Sequence, residues 1–361
     1  MIVSQEKIPQ PVEHVPAAEA GQAGFAMARA RAIPPTIDML AGLLVARLEF
    51  ALRAEGNAEL PNFLGSTLRG AFGHALKRAV CVMQHRDCER CLVVNRCLYP
   101  YMFETPPPED TPPLRSQQQM PHPFIFEPPL TLPERPRQSV RRGESLNFGF
   151  ALLGRAIDAL PYVIYAIETM ALSGLGVERA RFTLTEVNWR SPQGELQPIY
   201  SPSQQRIAST PETEISLGEY LRRRLADCQA MTRLRLRFLT PTRIRIQGDT
   251  QASMSFDLLA DNLWRRVLLL LALYGSKPFC LDKLWWKHTT AVKCVENNLQ
   301  WWDLERRSNR QKRNVKLGGF IGEIEYEGEE LIEYLPLVLA GELLHVGGGT
   351  GFGLGWYKIS V

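Results

Sequence analysis

The same order of predicted elements occurs twice along this chain of 361 residues, and it limits the folds available to the chain. Residues 43–56 and 233–248 alternate apolar and polar side chains, as half-buried strands do, and an apolar-periodic helix follows each of them. Each half then ends with a helix, a glycine turn and a strand, over residues 159–187 and 334–359. Strand pairs are expected between these elements, at segments such as "SLNFGFALL" and "FIGEIEYEG". The duplication predicts an α+β fold of two tandem βαββαβ units.

Composition divides the chain into segments around these two units. Residues 1–38 mix Ala, Gly, Pro and Gln without a sustained period, which predicts a flexible N-terminal arm. The first unit is expected over residues 39–200, a linker over 201–230 and the second unit over 231–361. Inside the first unit, residues 106–136 carry eleven prolines, which are incompatible with long helices and central strands. We expect this segment to be a long extended excursion.

Composition and targeting signals exclude several classes of protein. Hydrophobic residues make up 45% of the chain, which is enough for a large buried core. The net charge of +4 is mildly basic and does not by itself indicate a nucleic-acid partner. The sequence shows neither a secretory signal nor an apolar stretch long enough to span a membrane. Seven cysteines in such a chain favour a reducing, cytoplasmic location.

The C-terminal segment "HVGGGTGFGLGWYKI" contains a glycine-rich loop over residues 347–355. Its six glycines allow positive φ angles and can expose successive N–H groups to an anion. A phosphate, a neighbouring element or a simple turn would each explain the missing side chains. Nucleotide binding is excluded, because no helix follows the loop and no Walker lysine is present. His345 ends the preceding helix, whose carbonyls would raise the pKa of the imidazole, so it is either a helix cap or a group that binds or protonates a phosphate.

The first predicted helix, within "LPNFLGSTLRGAFGHALKRAV", carries the strongest catalytic candidate. Its apolar residues recur every four positions and should face the core, so His74 should face outward. Lys77 follows three positions later and forms a small cationic cluster with His74. Gly70 and Gly73 are costly inside a helix and indicate close packing, while Arg69 between the core positions can still reach a phosphate.

Four other histidines are weaker candidates. His14 lies in the predicted arm and His122 in the proline-rich segment, so neither has an obvious rigid support. His85 lies among cysteines, and His288 lies beside aromatic residues, where packing is the simpler interpretation.

Basic residues concentrate in the second unit, in "WWDLERRSNRQKRNVK". Two tryptophans precede six cations, which are Arg306, Arg307, Arg310, Lys312, Arg313 and Lys316. The cations suit contacts to an RNA backbone and an indole suits stacking on a base, although such a run can also be a solvated loop. Arg233, Arg235 and Arg237 alternate along one predicted strand and should share a face. That face would lie along an RNA groove or against acidic neighbours.

Four cysteines fall within seventeen residues of the first unit, over 81–97. They are Cys81, Cys88, Cys91 and Cys97, and they include one C-x-x-C pair. Four thiolates satisfy a structural tetrahedral zinc and leave no position for a catalytic water. Reduced buried thiols are the alternative, and His85 is a substitute ligand.

Three segments together resemble the RAMP superfamily of CRISPR systems. They are "LGSTLRGAFGHAL", "RRSNRQKRNVKLGGFIGEIEY" and "LLHVGGGTGFGLGWYKI". Within that superfamily the chain is most similar to the endoribonucleases that process precursor crRNA, and the resemblance covers residues 43–361. It implies that the two βαββαβ units are tandem ferredoxin-like domains, with the cysteine cluster as an insertion and the glycine-rich loop at the C-terminus.

The resemblance also implies an activity. Such enzymes cleave CRISPR repeat RNA without a metal, by attack of a 2′-OH on the adjacent phosphate, which leaves 2′,3′-cyclic phosphate and 5′-OH ends. This chemistry needs a proton acceptor, a proton donor and cationic or N–H groups facing the phosphorane. The expected catalytic residues are His74, His345 and Lys77. The expected RNA-binding residues are Arg69, Arg307, Arg310, Lys312, Arg313, Gly347, Gly348, Gly349 and Gly351.

The expected partners are precursor CRISPR RNA and mature crRNA, with CRISPR effector subunits and a second copy of the chain as further options. No cofactor is expected for catalysis, and a structural zinc is the one metal considered. A different class of function is a non-catalytic RAMP subunit that binds crRNA or scaffolds an effector complex, because the same fold serves both roles.

Overall fold

A computed structural model describes residues 34–83, 87–106, 120–135, 137–204, 206–208, 214–226, 231–246, 249–250, 254–277, 287–308 and 313–360. Most of the predicted arm, residues 1–38, therefore lies outside the described residues. The described helices are α1 (Ile37–Leu40), α2 (Gly65–Val80), α3 (Leu160–Ser173), α4 (Leu217–Leu225), α5 (Phe256–Tyr274) and α6 (Leu331–Leu344). The strands of the first half are β1 (Leu44–Ala54), β2 (Ala58–Pro61), β3 (Phe124–Glu127), β4 (Arg137–Val140), β5 (Ser145–Leu153), β6 (Phe182–Arg190), β7 (Leu196–Tyr200) and β8 (Ile215–Ser216). The strands of the second half are β9 (Arg233–Thr242), β10 (Arg245–Ile246), β11 (Asp249–Thr250), β12 (Lys293–Trp302), β13 (Glu305–Ser308), β14 (Arg313–Lys316), β15 (Gly319–Glu327) and β16 (Tyr357–Ser360).

The first half folds around a sheet with the order β3-β5-β1-β6-β7, and β8 joins the start of β1. Strand β1 lies in the middle and pairs antiparallel with β5 on one side and β6 on the other. Helices α2 and α3 pack against each other. Leu68, Phe72 and Leu76 form the predicted apolar face of α2 and are fully buried. The Phe72 ring contacts Phe124 of β3 and Phe150 of β5, so the helix is held on the sheet by aromatic packing.

The second half repeats this arrangement with the sheet order β12-β15-β9-β16. In both halves the fourth strand of the βαββαβ unit lies beside the first, followed by the third and the second, as β6-β1-β5-β3 and β16-β9-β15-β12. Helix α5 begins after Ser255, whose hydroxyl accepts the N–H of Leu258, and Asp257 lies in its first turn. The predicted α+β fold with tandem ferredoxin-like units is confirmed.

The proline-rich segment contributes to the first sheet. Residues 107–119 lie outside the described residues, whereas β3 that follows them is buried along its whole length and pairs with β5. Prolines flank β3 at positions 123 and 128, and β3 is an edge strand, where a missing N–H does not interrupt a ladder. The segment is therefore more than an extended excursion.

The segment predicted as a linker, residues 201–230, is also partly built into the fold. Strand β8 pairs with β1, and Ser216 caps α4 by accepting the N–H of Glu219. Leu217, Tyr220 and Leu221 of α4 are buried in the core. The helix has nine residues, and three of them are consecutive arginines that follow the apolar residues. Its apolar pattern is therefore too short for periodicity to identify a helix.

Helix α6 begins at Leu331, one turn before the Leu335–Pro336 pair expected to open it. Pro336 has no N–H for the carbonyl of Ile332, and the Ile332 side chain is exposed, so water can replace the missing bond. Among the described residues, one helical stretch, over 154–173, is long and apolar enough to cross a membrane by length and composition alone. Its C-terminal part is α3, which packs on α2 and β6 as a core helix does.

One hydrophobic core connects the two halves. Val45, Ile125 and Leu153 of the first sheet belong to the same buried cluster as Leu268 of α5 and Leu344 of α6. The glycine-rich loop follows α6 directly, so this shared core fixes the position of the loop relative to the first half.

Candidate active site at the junction of the two halves

The glycine-rich loop is closed by backbone hydrogen bonds at both ends. The Val346 N–H donates to the Gly355 carbonyl at 3.0 Å, and the Gly348 N–H donates to the Arg243 carbonyl at 3.1 Å. Gly347 has a φ of +78°, and a side chain there would collide with the Arg243 carbonyl. Gly348 and Gly349 form the exposed tip of the loop. The absence of side chains thus allows the loop to pack against the end of β9.

A 3₁₀ turn in the loop, Thr350–Phe352, packs on α2 and β3 of the first half. A Cβ atom on Gly65, at the start of α2, would overlap the Phe352 carbonyl oxygen. A Cβ atom on Gly351 would lie 3.0 Å from Cδ2 of His122 and 3.5 Å from Nε of Arg69. Of the alternatives for the missing side chains, close approach to the helix of the first half is therefore present in the structure.

Arg69 and His122 form a hydrogen-bonded pair beneath this turn. Arg69 Nη2 lies 2.7 Å from His122 Nε2, and His122 Nδ1 lies 3.4 Å from Thr105 Oγ1. Because a guanidinium only donates, Nε2 is assigned as the acceptor and Nδ1 as the protonated nitrogen. Burial, followed by the positive charges of Arg69 and Arg266, lowers the pKa of His122 to about 3. The imidazole is therefore neutral near pH 7.

His122 is the site residue that the sequence did not identify. It lies 53 residues from Arg69 in the chain, in the proline-rich segment. Its ring stacks on Phe124 of β3, with 5.5 Å between centroids and 9° between planes. The signal that could have found it is the apolar run "FIFE" two residues later, because a buried strand there supplies the rigid support that His122 was expected to lack.

The ring of Phe352 lies between two cations. The guanidinium of Arg69 is 4.4 Å from the ring centroid and that of Arg306 is 4.6 Å away. Burial lowers the pKa of Arg306, and within the described part of the chain its Nε has no hydrogen-bond partner. Arg243 lies nearby over Trp301, 5.9 Å from the ring centroid, and it donates from Nη1 to the Lys316 carbonyl at 3.3 Å. The junction therefore concentrates cations and aromatic rings around the loop.

The pKa of His345 differs from the prediction. It is fully buried, its ring stacks on Trp356 at 5.8 Å, and Nδ1 lies 3.2 Å from the Leu354 carbonyl. Burial lowers its pKa to about 3, although a raised pKa was predicted from the helix end. The prediction was wrong because the imidazole is buried, and because Arg266 supplies the cation at the helix end: its Nε donates to the Leu344 carbonyl at the end of α6. His345 does cap α6, with a φ of +59°.

The other two predicted catalytic residues lie away from the loop. His74 is exposed, as its helix position predicted, but it lies five residues after Arg69 and about 140° further around α2. Lys77 lies over the ring of Tyr99, 5.1 Å from the centroid, and hydrogen-bonds Cys88. Gly73 packs on Phe103 as expected, whereas Gly70 has open space around it.

The predicted RNA-binding residues are only partly described. Gly347 is half-buried, and Gly351 is buried against Arg69 and His122. Arg307 and Arg313 belong to β13 and β14, and their side chains lie outside the described part of the structure. Arg310 and Lys312 lie outside the described residues altogether.

The alternating arginines of β9 face acidic neighbours. Arg233 pairs with Glu327 at 2.9 Å, and Arg235 pairs with Glu325 at 2.6 Å on the adjacent strand β15. Arg237 lies 3.8 Å from the next glutamate of β15. Of the two alternatives for this face, the ion-paired one is observed.

The four clustered cysteines line one small cavity. Their thiols are free, and Lys77 and Tyr99 complete the wall. Within the described residues, no three His, Cys, Asp or Glu side chains are arranged to hold a metal ion. His85 lies outside those residues.

Two family models match the chain. Residues 43–212 match the AF_1859_N N-terminal domain, and residues 236–357 match the CRISPR-associated endoribonuclease Cas6. Over residues 236–357 the chain is similar to the Cas6 family. The resemblance to the RAMP superfamily is thereby confirmed, and the Cas6 domain supports a role in processing CRISPR repeat RNA.

Matches to similar proteins cover most of the chain. An uncharacterised protein of Archaeoglobus fulgidus is 26% identical over 309 residues, which cover 83% of this chain and 92% of the relative. A chain of a partial Cas6-RT-Cas1–Cas2 complex has a TM-score of 0.54 and 12% identity, and the match covers 89% of this chain and 47% of that chain. Thermus thermophilus Cas6 has a TM-score of 0.47 and 16% identity, with 89% and 100% covered. The likeness to the Cas6-RT-Cas1–Cas2 chain shows a shared fold.

Proposed function

We propose that this chain is a metal-independent endoribonuclease that cleaves CRISPR repeat RNA to mature crRNA. In the proposed reaction the 2′-OH attacks the adjacent phosphate, the P–O5′ bond breaks, and 2′,3′-cyclic phosphate and 5′-OH ends remain. The Cas6 domain over residues 236–357 supports the substrate class. The observation that carries the proposal is the Arg69–His122 pair, held against Gly351 where the second half meets the first.

Arg69 suits the phosphate. Its guanidinium lies between the Phe352 ring, His122 and the loop backbone, so a phosphate at the loop edge can accept from its fork of N–H groups. Negative charge on the phosphorane grows as the 2′-oxygen attacks, and a fixed cation there stabilises the transition state more than the ground state.

His122 suits proton transfer. Its Nε2 accepts from Arg69 in the free protein, and it becomes available when a phosphate draws the guanidinium away. The negative charge of that phosphate also raises the pKa of the imidazole, because a nearby anion favours the protonated form. Neutral His122 then takes the proton of the 2′-OH, and the leaving 5′-oxygen takes a proton from water to become the 5′-OH. The Thr105 hydroxyl near Nδ1 fixes the tautomer of His122.

The RNA strand is proposed to cross the junction beside β13 and β14. Trp301 is 42% exposed and lies next to Arg243, so it offers a stacking surface beside a cation. The exposed tip at Gly348 and Gly349 permits close approach of the RNA backbone. Precursor CRISPR RNA and mature crRNA are the proposed ligands, and a CRISPR effector complex or a second copy of the chain are further partners to test.

A non-catalytic crRNA-binding subunit is the second candidate. It is favoured by one observation: His345 is buried and His122 has a strongly lowered pKa, so in the free protein neither is a strong proton acceptor. In that case the chain would bind repeat RNA at the same junction without cutting it.

Incubation with end-labelled repeat RNA in EDTA separates the two candidates. We expect one cut that leaves a cyclic phosphate, detected by its resistance to phosphatase until acid opens the ring. The variants His122→Ala and Arg69→Ala should slow cleavage by about 10²- to 10⁴-fold. His122→Ala should retain RNA affinity, since it removes no cation.

Arg78→Ala is the matched control for Arg69→Ala, because Arg78 is an exposed arginine on the same helix. Intact but gel-shifted RNA with the unmodified protein would favour the binding subunit. Loss of cleavage in His74→Ala with normal cleavage in His122→Ala would move the chemistry to the exposed face of α2 and contradict the proposed roles.

A further inference from the structure

The cysteine cluster forms a chamber that the proposed reaction does not use. Cys81 ends α2, and Cys88, Cys91 and Cys97 lie on the turns that follow, yet all four line the same cavity. The Cys91 N–H donates to the Cys88 carbonyl at 3.2 Å, which closes the C-x-x-C pair into a tight turn. Cys81 and Cys97, which flank this pair in the chain, thus line the same cavity at the end of α2.

Lys77 gives the cavity a positive charge. Its ammonium hydrogen-bonds Cys88 and lies close to Cys81. Four thiolates around a divalent ion carry a net charge of about −2, so an adjacent ammonium offsets part of that charge. Lys77 is therefore placed where its ammonium would balance metal-bound thiolates. This role differs from the catalytic one predicted from the sequence.

We infer that Cys81, Cys88, Cys91 and Cys97 bind one Zn²⁺ ion as a closed tetrathiolate site. Binding replaces the four S–H protons by four Zn–S bonds, so Zn²⁺ enters and four protons leave, without any redox step. The thiols rotate inward to reach the ion, since no three of the described side chains are in ligand geometry before binding. A closed site of this kind holds chain segments together and leaves no position for a reactive water.

The zinc site would support the proposed active site through a row of side chains. Lys77 lies on Tyr99, and Tyr99 stacks on Phe103 at 5.3 Å with 7° between planes. The Phe103 ring is 5.1 Å from the Arg69 guanidinium and 6.2 Å from the His122 ring. Phe103 lies on the π-helical turn Pro100–Glu104, and Tyr99 is the residue directly before that turn, two positions after Cys97. A zinc ion that fixes the insertion therefore also fixes the wall against which Arg69 and His122 pack.

Metal analysis of the full chain, purified under reducing conditions without chelator, tests this inference. We expect about one zinc per chain, and Co²⁺ substitution should give the visible absorption of a tetrahedral thiolate site. Cys88→Ser and Cys91→Ser should lose the metal and lower the melting temperature. Cys294→Ser should keep the metal, because Cys294 is an exposed cysteine on β12 outside the cavity.

A chain that contains no zinc, and that takes up neither Zn²⁺ nor Co²⁺ when titrated in the reduced state, would overturn the inference. This titration uses the unmodified protein, so it remains decisive if a serine variant fails to fold. The metal content is independent of RNA cleavage, and it should be measured again after the EDTA incubation. If EDTA removes the zinc and cleavage is lost at the same time, the zinc site supports the active site. If cleavage is absent while the zinc remains bound, the proposed chemistry has failed.

Discussion

At the scale of single residues, buried histidines make the stability of the protein depend on pH. Burial lowers the pKa of His122 and His345 to about 3 and that of His288 to about 4, against about 6.5 in an unfolded chain. Below pH 6.5 the unfolded state therefore binds protons that the folded state does not, so the free energy of unfolding falls as the pH falls. Each histidine contributes at most about 1.4 kcal/mol per pH unit.

Urea denaturation between pH 7 and pH 5 measures this slope above the range in which carboxylates titrate. Replacing the fully buried His345 with Gln removes one histidine that only the unfolded state protonates. The dependence of the unfolding free energy on pH should therefore fall by up to about 1.4 kcal/mol per pH unit. His74→Gln is the matched histidine-to-glutamine control at an exposed position. A slope that is the same for His345→Gln and the unmodified protein would show that His345 is not held neutral by burial.

These residues also show how far sequence reasoning reaches. Helical periodicity correctly predicted that His74 faces outward, because orientation on one helix is a local property. The pKa of His345 was predicted with the wrong sign, because its burial under Trp356 and the competing cation Arg266 come from distant parts of the chain. The pairing of His122 with Arg69 has the same non-local origin.

At the scale of elements, the contact between α2 and the glycine-rich loop is the most sensitive to a single methyl group. A side chain on Gly65 would overlap the Phe352 carbonyl oxygen, so Gly65→Ala must push the loop away from the helix. We expect a loss of about 1–3 kcal/mol in unfolding free energy, as for other overpacked sites. Cleavage of repeat RNA should fall as well, because Gly351 and Phe352 would leave Arg69.

Gly70→Ala is the matched control on the same helix. No atom lies within 4 Å of a Cβ built on Gly70, so this change should stabilise the protein by about 0.5–1 kcal/mol through helix propensity. Urea denaturation and cleavage assays on the two variants give the comparison. Equal stabilities for Gly65→Ala and Gly70→Ala would mean that the loop does not pack on α2 in solution.

The elements themselves were predictable where their pattern is long. The alternation of β1 and β9 and the apolar face of α2 follow from residues close together in sequence. Strand β3 was not predicted because prolines flank it. Helix α4 was not predicted because three arginines occupy its last turn. In both cases the tertiary partner, β5 or the shared core, stabilises an element with a weak local signal.

At the scale of the whole molecule, the two ferredoxin-like units behave as parts of one structure. The duplicated order of elements predicted two units, but it carried no information about the surface between them. That surface is a continuous core, and a polar contact reinforces it: the Tyr274 hydroxyl donates to the Pro121 carbonyl at 2.7 Å. The active-site junction depends on this surface.

We therefore expect the described halves to unfold in one cooperative transition. Leu184→Ala removes a buried side chain from the core of the first half, and Leu268→Ala removes one from the shared core. Each should cost about 2–5 kcal/mol and shift the same single transition, because the shared core couples the unfolding of the two halves. Calorimetry tests this by comparing the calorimetric with the van't Hoff enthalpy, which agree for a two-state transition. Two resolved transitions, with Leu184→Ala moving only one of them, would show that the first half folds independently. The position of the glycine-rich loop against Arg69 and His122 would then depend on the docking of two separate domains. Cleavage would in that case be lost at the temperature where the domains separate.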